Sequence, residues 1–143
     1  MDLEKSYLKT ILKSNERFIL TDDFRFYFLQ ELEEEILVPL LESGILKRDK
    51  NTPPFIEVPK NFITDFGSVP LIFQNIISPV GKPTKAYVLH DFLCVLSKKG
   101  KIDRKIADLL LKEACLALGV SKLKSFVIYY AVRFFVKIRY FGK

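Results

Sequence analysis

The residues that could do chemistry lie in the middle of the chain, where the only histidine, His90, is followed directly by Asp91. Nine of the eleven residues in segment 86–96 are apolar, and this pair supplies the two polar ones. A helix that is apolar nearly all round is buried. A buried carboxylate costs several kcal/mol unless it is paired, hydrogen-bonded or bound to a metal. The pair therefore indicates either a catalytic or metal-binding site or a satisfied structural pair.

A third polar residue, Asp108, is expected to reach His90 from the next helix. If the two helices form an antiparallel hairpin, His90 lies seven residues before Ser97, and Asp108 lies five residues after Asp103. At about 1.5 Å per residue these are similar depths. Asp108 would then accept a hydrogen bond from one ring nitrogen and leave the other as a general base. Alternatively, Asp108 pairs in solvent with Lys112, four residues on.

The segment from Thr64 to Pro70 places a carboxylate, a hydroxyl and a glycine between a predicted strand and a predicted helix. Such a loop can arrange Thr64, Gly67, Ser68 and the Asp65 carboxylate around a ligand. Its alternative is ordinary helix initiation, with Ser68 as the cap and Pro70 in the first turn.

The final segment, 121–140, is predicted to be an aromatic-rich helix carrying Arg133, Lys137 and Arg139. These cations predict a helix that lies on an anionic surface. The alternative is a helix packed on the core whose cations extend to solvent. Because charged residues interrupt its apolar run, the segment is not predicted to span a membrane.

Length and composition predict one domain, residues 1–143, with a sizeable core. A hydrophobic content of 49% excludes a disordered chain. The net charge of +6 divides unevenly, with 8 basic and 12 acidic residues in 1–58 and 15 and 5 in 59–143. The second part therefore either faces an anionic partner (membrane, acidic protein or nucleic acid without sequence specificity) or is a solvated basic surface.

The cysteines and the N-terminus bear on the compartment. Cys94 and Cys115 have no metal-ligand or redox-motif spacing, which predicts reduced core residues. The charged first residues are followed by no apolar segment of signal-peptide type, so synthesis in the cytoplasm without a signal peptide is expected.

The pattern of apolar residues predicts an α+β domain, with a helix and a small β part in 1–68 and three to four packed helices in 69–143. The antiparallel strands are expected at about 17–65. The segment 31–41 reads either as a helix or as a strand with an edge proline. The predicted elements are a helix at 2–14, a hairpin or two short strands at 17–21 and 24–28, a strand pair at 55–59 and 61–65, and helices at 70–77, 84–96, 103–119 and 121–140.

Four segments together resemble a known family of small phage and prophage domains of unknown function. The family reads VPxGFxTDxxSVP, then AxxHDxLY, then RxxAD, and this chain follows it at 58–70, 86–93 and 104–108, with a closing YAVR at 130–133. The resemblance covers residues 17–140. The chain departs from it at Cys94, where the family has tyrosine. Phage origin is what this resemblance implies.

The helical half also resembles phospholipase A2, particularly its short bacterial, fungal and parvoviral forms. In that family a His-Asp pair on one helix meets an Asp on the next. The resemblance implies that His90 activates a water molecule, that Asp91 binds calcium and that Asp108 orients the histidine. Gly67 and Ser68 would fall in the calcium-binding loop.

These resemblances lead us to expect a phage-derived hydrolase that acts on a lipid or another ester at the cell envelope. Calcium, which prefers oxygen ligands, is the expected cofactor, held by Asp91 and Asp65. The alternative is a non-catalytic phage structural module, associated with the tail or virion, or one that binds host proteins. The single glycine of the 64–68 loop favours this alternative.

Overall fold

A computed structural model describes residues 2–14, 17–64 and 84–141, with side chains described for 2–12, 17–64 and 84–134. These residues form small antiparallel sheets followed by packed helices, which confirms the predicted α+β class. The described helices are α1 (Leu3–Ser6), α2 (Glu34–Glu42), α3 (Thr84–Lys98), α4 (Arg104–Ala117) and α5 (Lys122–Phe141). The described strands are β1 (Thr10–Ser14), β2 (Arg17–Leu20), β3 (Phe24–Tyr27), β4 (Leu46–Lys47), β5 (Phe55–Val58) and β6 (Ile63–Thr64).

The described strands form two antiparallel sheets of three strands each, ordered β1-β2-β6 and β3-β5-β4. In β3 the side chains alternate, with Phe24 and Phe26 buried and Arg25 and Tyr27 partly exposed. This period of two is what a strand with one covered face requires. The second sheet therefore presents an apolar face to the helices.

The helices α3 and α4 form the predicted hairpin. The helices α4 and α5 begin where their N-terminal capping residues indicate. The carboxylate of Asp103 accepts from the backbone N–H of Lys105 at 3.1 Å, and α4 begins directly after it. The hydroxyl of Ser121 accepts from the N–H of Lys124 at 3.2 Å, just ahead of α5. Among the described residues, no helix is both long and apolar enough to cross a membrane.

A cluster of buried apolar side chains joins the strands to α2, α3, α4 and α5 and holds the hairpin in place. Because close-packed side chains leave little room for rotation, this packing also fixes which way the polar residues of α3 and α4 point. Fully buried members of the cluster include Phe24, Leu40, Ile56, Val88, Leu89, Leu110 and Ala114.

The predicted helix at 2–14 is wrong beyond its first turn. The structure has only α1 at Leu3–Ser6, and residues 10–14 instead form β1, which pairs with β2. Of the apolar residues behind the prediction, Leu8 packs against the core, but Leu3, Tyr7, Ile11 and Leu12 are exposed. A short helix without a buried face is marginal, whereas a strand here gains backbone hydrogen bonds to β2.

Of the two interpretations of 17–28, the two short strands are confirmed and the hairpin is wrong. β2 pairs with β6 and β3 pairs with β5, so the two belong to different sheets. For the same reason the predicted strand pair at 55–59 and 61–65 does not pair with itself. The turn residue Asp23 accepts from the backbone N–H of Lys60 at 2.8 Å, so it joins the two segments instead of closing a hairpin.

The ambiguous segment 31–41 contributes to a helix, α2, with Pro39 inside it. The helix predicted at 70–77 lies outside the described residues.

A tight turn between β5 and β6 depends on a left-handed residue. Asn61 has φ +74°, and its N–H donates to the carbonyl of Leu20 at 2.9 Å. The N–H of Phe62 donates to the carbonyl of Pro59 at 3.2 Å. Asn61 occupies the position where the VPxGFxTD pattern has glycine. Asparagine and glycine tolerate this conformation best.

We expect Asn61→Ala to lower the free energy of unfolding by about 1 kcal/mol, because a Cβ without a compensating polar group is disfavoured at positive φ. Asn61→Gly should stay within about 0.5 kcal/mol of the wild type, since strain relief and added chain entropy oppose each other. Urea denaturation measures both, with the neighbouring exposed Lys60→Ala as the control. Equal stability of the alanine and glycine variants would contradict the role of the backbone angle.

Candidate functional site

Helices α3 and α4 bring the imidazole of His90 against the carboxylate of Asp108. His90 Nε2 lies 2.6 Å from Asp108 Oδ1, which confirms the predicted contact across the hairpin. Both groups are buried, with 5% of His90 and 0% of Asp108 exposed. The apolar residues around His90 on α3 are buried, and they place the imidazole in the core. Its buried N–H needs a hydrogen-bond acceptor there, and the Asp108 carboxylate supplies it.

Two arginines complete the surroundings of the Asp108 carboxylate. Arg104, one turn earlier on α4, donates its Nε–H to Oδ1 at 3.0 Å, and Arg133 of α5 donates from Nη1 to Oδ2 at 3.0 Å. The alternative pairing of Asp108 with Lys112 in solvent is wrong. Lys112 instead places its Nζ 4.8 Å from the ring centroid of Phe126.

The environment favours a neutral imidazole beside an ionised carboxylate. Burial lowers the pKa of His90, and the charge of Arg104 acts in the same direction, against the opposing effect of Asp108. Burial by itself would raise the pKa of Asp108, but the contacts from His90 and Arg104 outweigh it and lower that pKa. An ionised carboxylate only accepts hydrogen bonds. The proton of the neutral imidazole is therefore on Nε2, and Nδ1 is the basic nitrogen.

Cys94, one turn after His90 on α3, lies beside the imidazole. Its Sγ is 3.7 Å from Nδ1 and 3.6 Å from Nε2. An atom in line with the lone pair of Nδ1 would lie much farther from Nε2, so the sulfur is next to the ring face. Burial raises the pKa of Cys94 to about 12. It is therefore a thiol packed on the ring and not a reactive thiolate.

Strand β6 meets α3 at Asp91, whose carboxylate Oδ2 lies 2.5 Å from the Thr64 hydroxyl. Thr64 is buried, so this contact ties the end of β6 to the helix that carries His90. The other predicted loop residues, Asp65, Gly67 and Ser68, lie outside the described residues. In the part of the chain that the structure describes, no three or more His, Cys, Asp or Glu residues are grouped so as to hold a metal ion.

Three cations of α5 were expected on an anionic surface. The guanidinium of Arg133 contacts Asp108 instead of extending fully into solvent. The side chains of Lys137 and Arg139 are outside the described part of the structure. Sequence reasoning did not include Arg104 in the site. Its four-residue spacing from Asp108 on one helix was the signal that could have found it.

A cavity of about 230 Å³ lies away from this site, between β3, the segment after it and the end of α4. It is lined by residues that include Phe24, Tyr27, Gln30, Lys85 and Leu118. Neither His90 nor Asp108 contributes to it, so its position gives no support to a catalytic role.

We expect acid to destabilise the protein through His90. A histidine whose pKa is lowered by folding contributes stability that is complete above its unfolded value of about 6.5 and is lost as pH falls toward the folded value. His90 is the only histidine, and histidine is the side chain whose ordinary pKa lies in the pH window from about 6.5 to 5. The free energy of unfolding should fall there by up to about 1.4 kcal/mol per pH unit.

Urea denaturation between pH 5 and pH 8 measures this slope, and His90→Gln is the control that should flatten it. A wild type that gains stability as pH falls from 6.5 would indicate instead a charged imidazolium paired with Asp108.

Comparisons with known proteins identify a family. Residues 40–132, more than half of the chain, match the family model described as "Protein of unknown function (DUF1353)". Neither the comparison with curated proteins nor that with solved structures returned a match.

Proposed function

We propose that this chain, which belongs to the DUF1353 family of proteins of unknown function, is a small hydrolase that cleaves an ester by general-base catalysis. The observation that carries the proposal is the 2.6 Å contact of His90 Nε2 with the buried Asp108 carboxylate. That contact holds the tautomer in which Nδ1 is free to take a proton.

In the proposed reaction, Nδ1 of His90 accepts a proton from a water molecule while the water oxygen attacks the ester carbonyl carbon. The tetrahedral intermediate collapses, and the imidazolium returns the proton to the departing alcohol oxygen. Asp108 acts through His90 as a positioning residue, because it holds the ring and stabilises the transient imidazolium. The resemblance of the helical half to phospholipase A2 supports a lipid ester at the cell envelope as the substrate.

The lowered pKa of His90 has two consequences for such a base. The imidazole is already neutral at pH 7 and needs no deprotonation. It is also a weaker base than a free histidine, because burial and the neighbouring arginine disfavour its charged form. The rate should therefore be level above about pH 6.5 and decline in acid.

We expect His90→Gln to reduce turnover of phospholipid vesicles by about 10²–10⁴-fold, because it removes the base. Asp108→Asn should also reduce it, since an amide can hold the opposite tautomer. Lys99→Ala, an exposed change just after α3, is the control and should retain full activity. Circular dichroism checks that each variant is folded. A folded wild type that hydrolyses no phospholipid, with or without calcium, would overturn the proposal.

Calcium binding at Asp91 and Asp65 stays a prediction. One Asp91 oxygen is already held by the Thr64 hydroxyl, and the described residues do not complete a site. We therefore derive no catalytic step through calcium. If the ion binds, millimolar calcium should raise the melting temperature by mass action and a chelator should reverse the rise, whereas Asp91→Asn should respond less. An identical melting temperature with calcium and with chelator would remove calcium as a cofactor.

A second candidate is a non-catalytic phage module, associated with the virion or binding host proteins. The deep burial of His90 and the hydrogen bonding of both Asp108 oxygens favour it, because a structural ionic network has the same appearance. Phage origin itself is supported by the sequence resemblance alone. Under this candidate the wild type hydrolyses no lipid, His90→Gln lowers the melting temperature, and the protein is recovered with purified phage particles.

A further inference from the structure

The cluster around Asp108 holds more positive than negative charge. Two guanidiniums, those of Arg104 and Arg133, contact one carboxylate at 3.0 Å each, and the neutral His90 adds no charge. Within the described residues, neither arginine forms a salt bridge with a second acid. One guanidinium neutralises one carboxylate, so among the described side chains the second guanidinium has no acid of its own.

Within the part of the chain that the structure describes, the two arginines also have hydrogen-bond donors that no protein acceptor uses. Their side chains are 25% and 26% exposed, whereas Asp108 is fully buried. A guanidinium carries five N–H donors in a fork. Arg104 uses its Nε–H and Arg133 one N–H of Nη1, so most of each fork is available to solvent or to a ligand.

These donors lie next to the imidazole. The contacts of His90 Nε2 (2.6 Å) and Arg104 Nε (3.0 Å) share Asp108 Oδ1, so those two nitrogens are at most 5.6 Å apart. Arg133 contacts the other oxygen of the same carboxylate. A ligand group that meets both guanidiniums would therefore lie beside His90.

The arrangement of charges at Asp108 contrasts with that at a second ion-pair cluster of the described residues. Arg25, a comparably buried arginine with 19% of its side chain exposed, lies 2.9 Å from Glu57 and 3.9 Å from Asp49. Two acids surround that one arginine, whereas two arginines surround one acid at Asp108. Arg25 therefore serves as a matched control.

We propose that Arg104 and Arg133 form a binding site for an oxyanion, a phosphate or carboxylate group, beside His90. Guanidinium forks bind both groups in bidentate geometry, and the buried Asp108 holds the two forks in place before the ligand arrives. In the proposed hydrolase this site would hold an acidic group of the substrate next to the base. That last step rests on the proposed function, whereas anion binding does not.

The test is a titration of the full-length, ¹⁵N-labelled protein with inorganic phosphate at constant ionic strength, observed at the arginine Nε–H resonances. We expect saturable shifts at Arg104 and Arg133 and none at Arg25. Acetate in a parallel titration distinguishes a carboxylate site from a phosphate site, and chloride controls for screening. Small, linear shifts that are equal at the three arginines would overturn the proposal.

Variants give a second measurement. Arg133→Lys keeps the charge beside Asp108 but loses the fork, so it should raise the phosphate Kd at least about tenfold, whereas Arg25→Lys should leave it unchanged. Equal affinity of these two variants would count against the site. If Arg133→Lys does not fold, the titration of the wild type decides alone.

Phosphate binding and ester hydrolysis, both measured on the wild type, separate this inference from the proposed hydrolase. Retained phosphate binding together with an inactive wild type would leave the anion site standing and remove the hydrolase. A wild type that hydrolyses the ester but shows no saturable anion binding would remove the anion site and leave the hydrolase standing.

Discussion

The structure depends on a carboxylate placed where a charge is costly. Asp108 is fully buried, and removing a buried ion from water costs several kcal/mol that only well-placed partners can offset. The partners come from three helices: His90 from α3, Arg104 from α4 itself and Arg133 from α5. The packing of these helices must therefore satisfy Asp108 as well as fill the core.

This constraint links architecture to chemistry. The same carboxylate that joins the three helices also holds His90 in one tautomer and draws two guanidiniums to one side of the imidazole. A neutral imidazole and, among the described side chains, two guanidiniums on one carboxylate are thus held by a single buried group. Catalysis at this cluster requires that a substrate reach both Nδ1 of His90 and the exposed edges of the arginines, whereas cohesion of the three helices requires only the contacts to Asp108.

The prediction from sequence succeeded at the starts of helices and failed at the pairing of strands. The start of α4 at Asp103 and of α5 after Ser121 followed from side chains that cap their own helix. The segment 10–14 was predicted as a helix because its apolar spacing fits one, yet it forms β1 through hydrogen bonds to β2. Likewise β2 and β3 exist as strands, but they do not pair with each other. β2 pairs with β1 and with β6, and β3 pairs with β5, which begins more than twenty-five residues later.

In the candidate site, too, some contacts follow from residue spacing along helices and others from the packing between helices. Sequence by itself placed His90 and Asp108 at similar depths on the predicted hairpin, because the rise per residue of a helix is constant. The structure then confirmed that the two side chains are in contact. The spacing of Arg104 and Asp108 also indicates their contact, since four residues make about one helical turn. Only the tertiary structure decided that Arg133 joins them and that Lys112 does not. The reason is that the rotation of α5 about its axis and its approach to α4 are set by side-chain packing, which residue spacing does not specify.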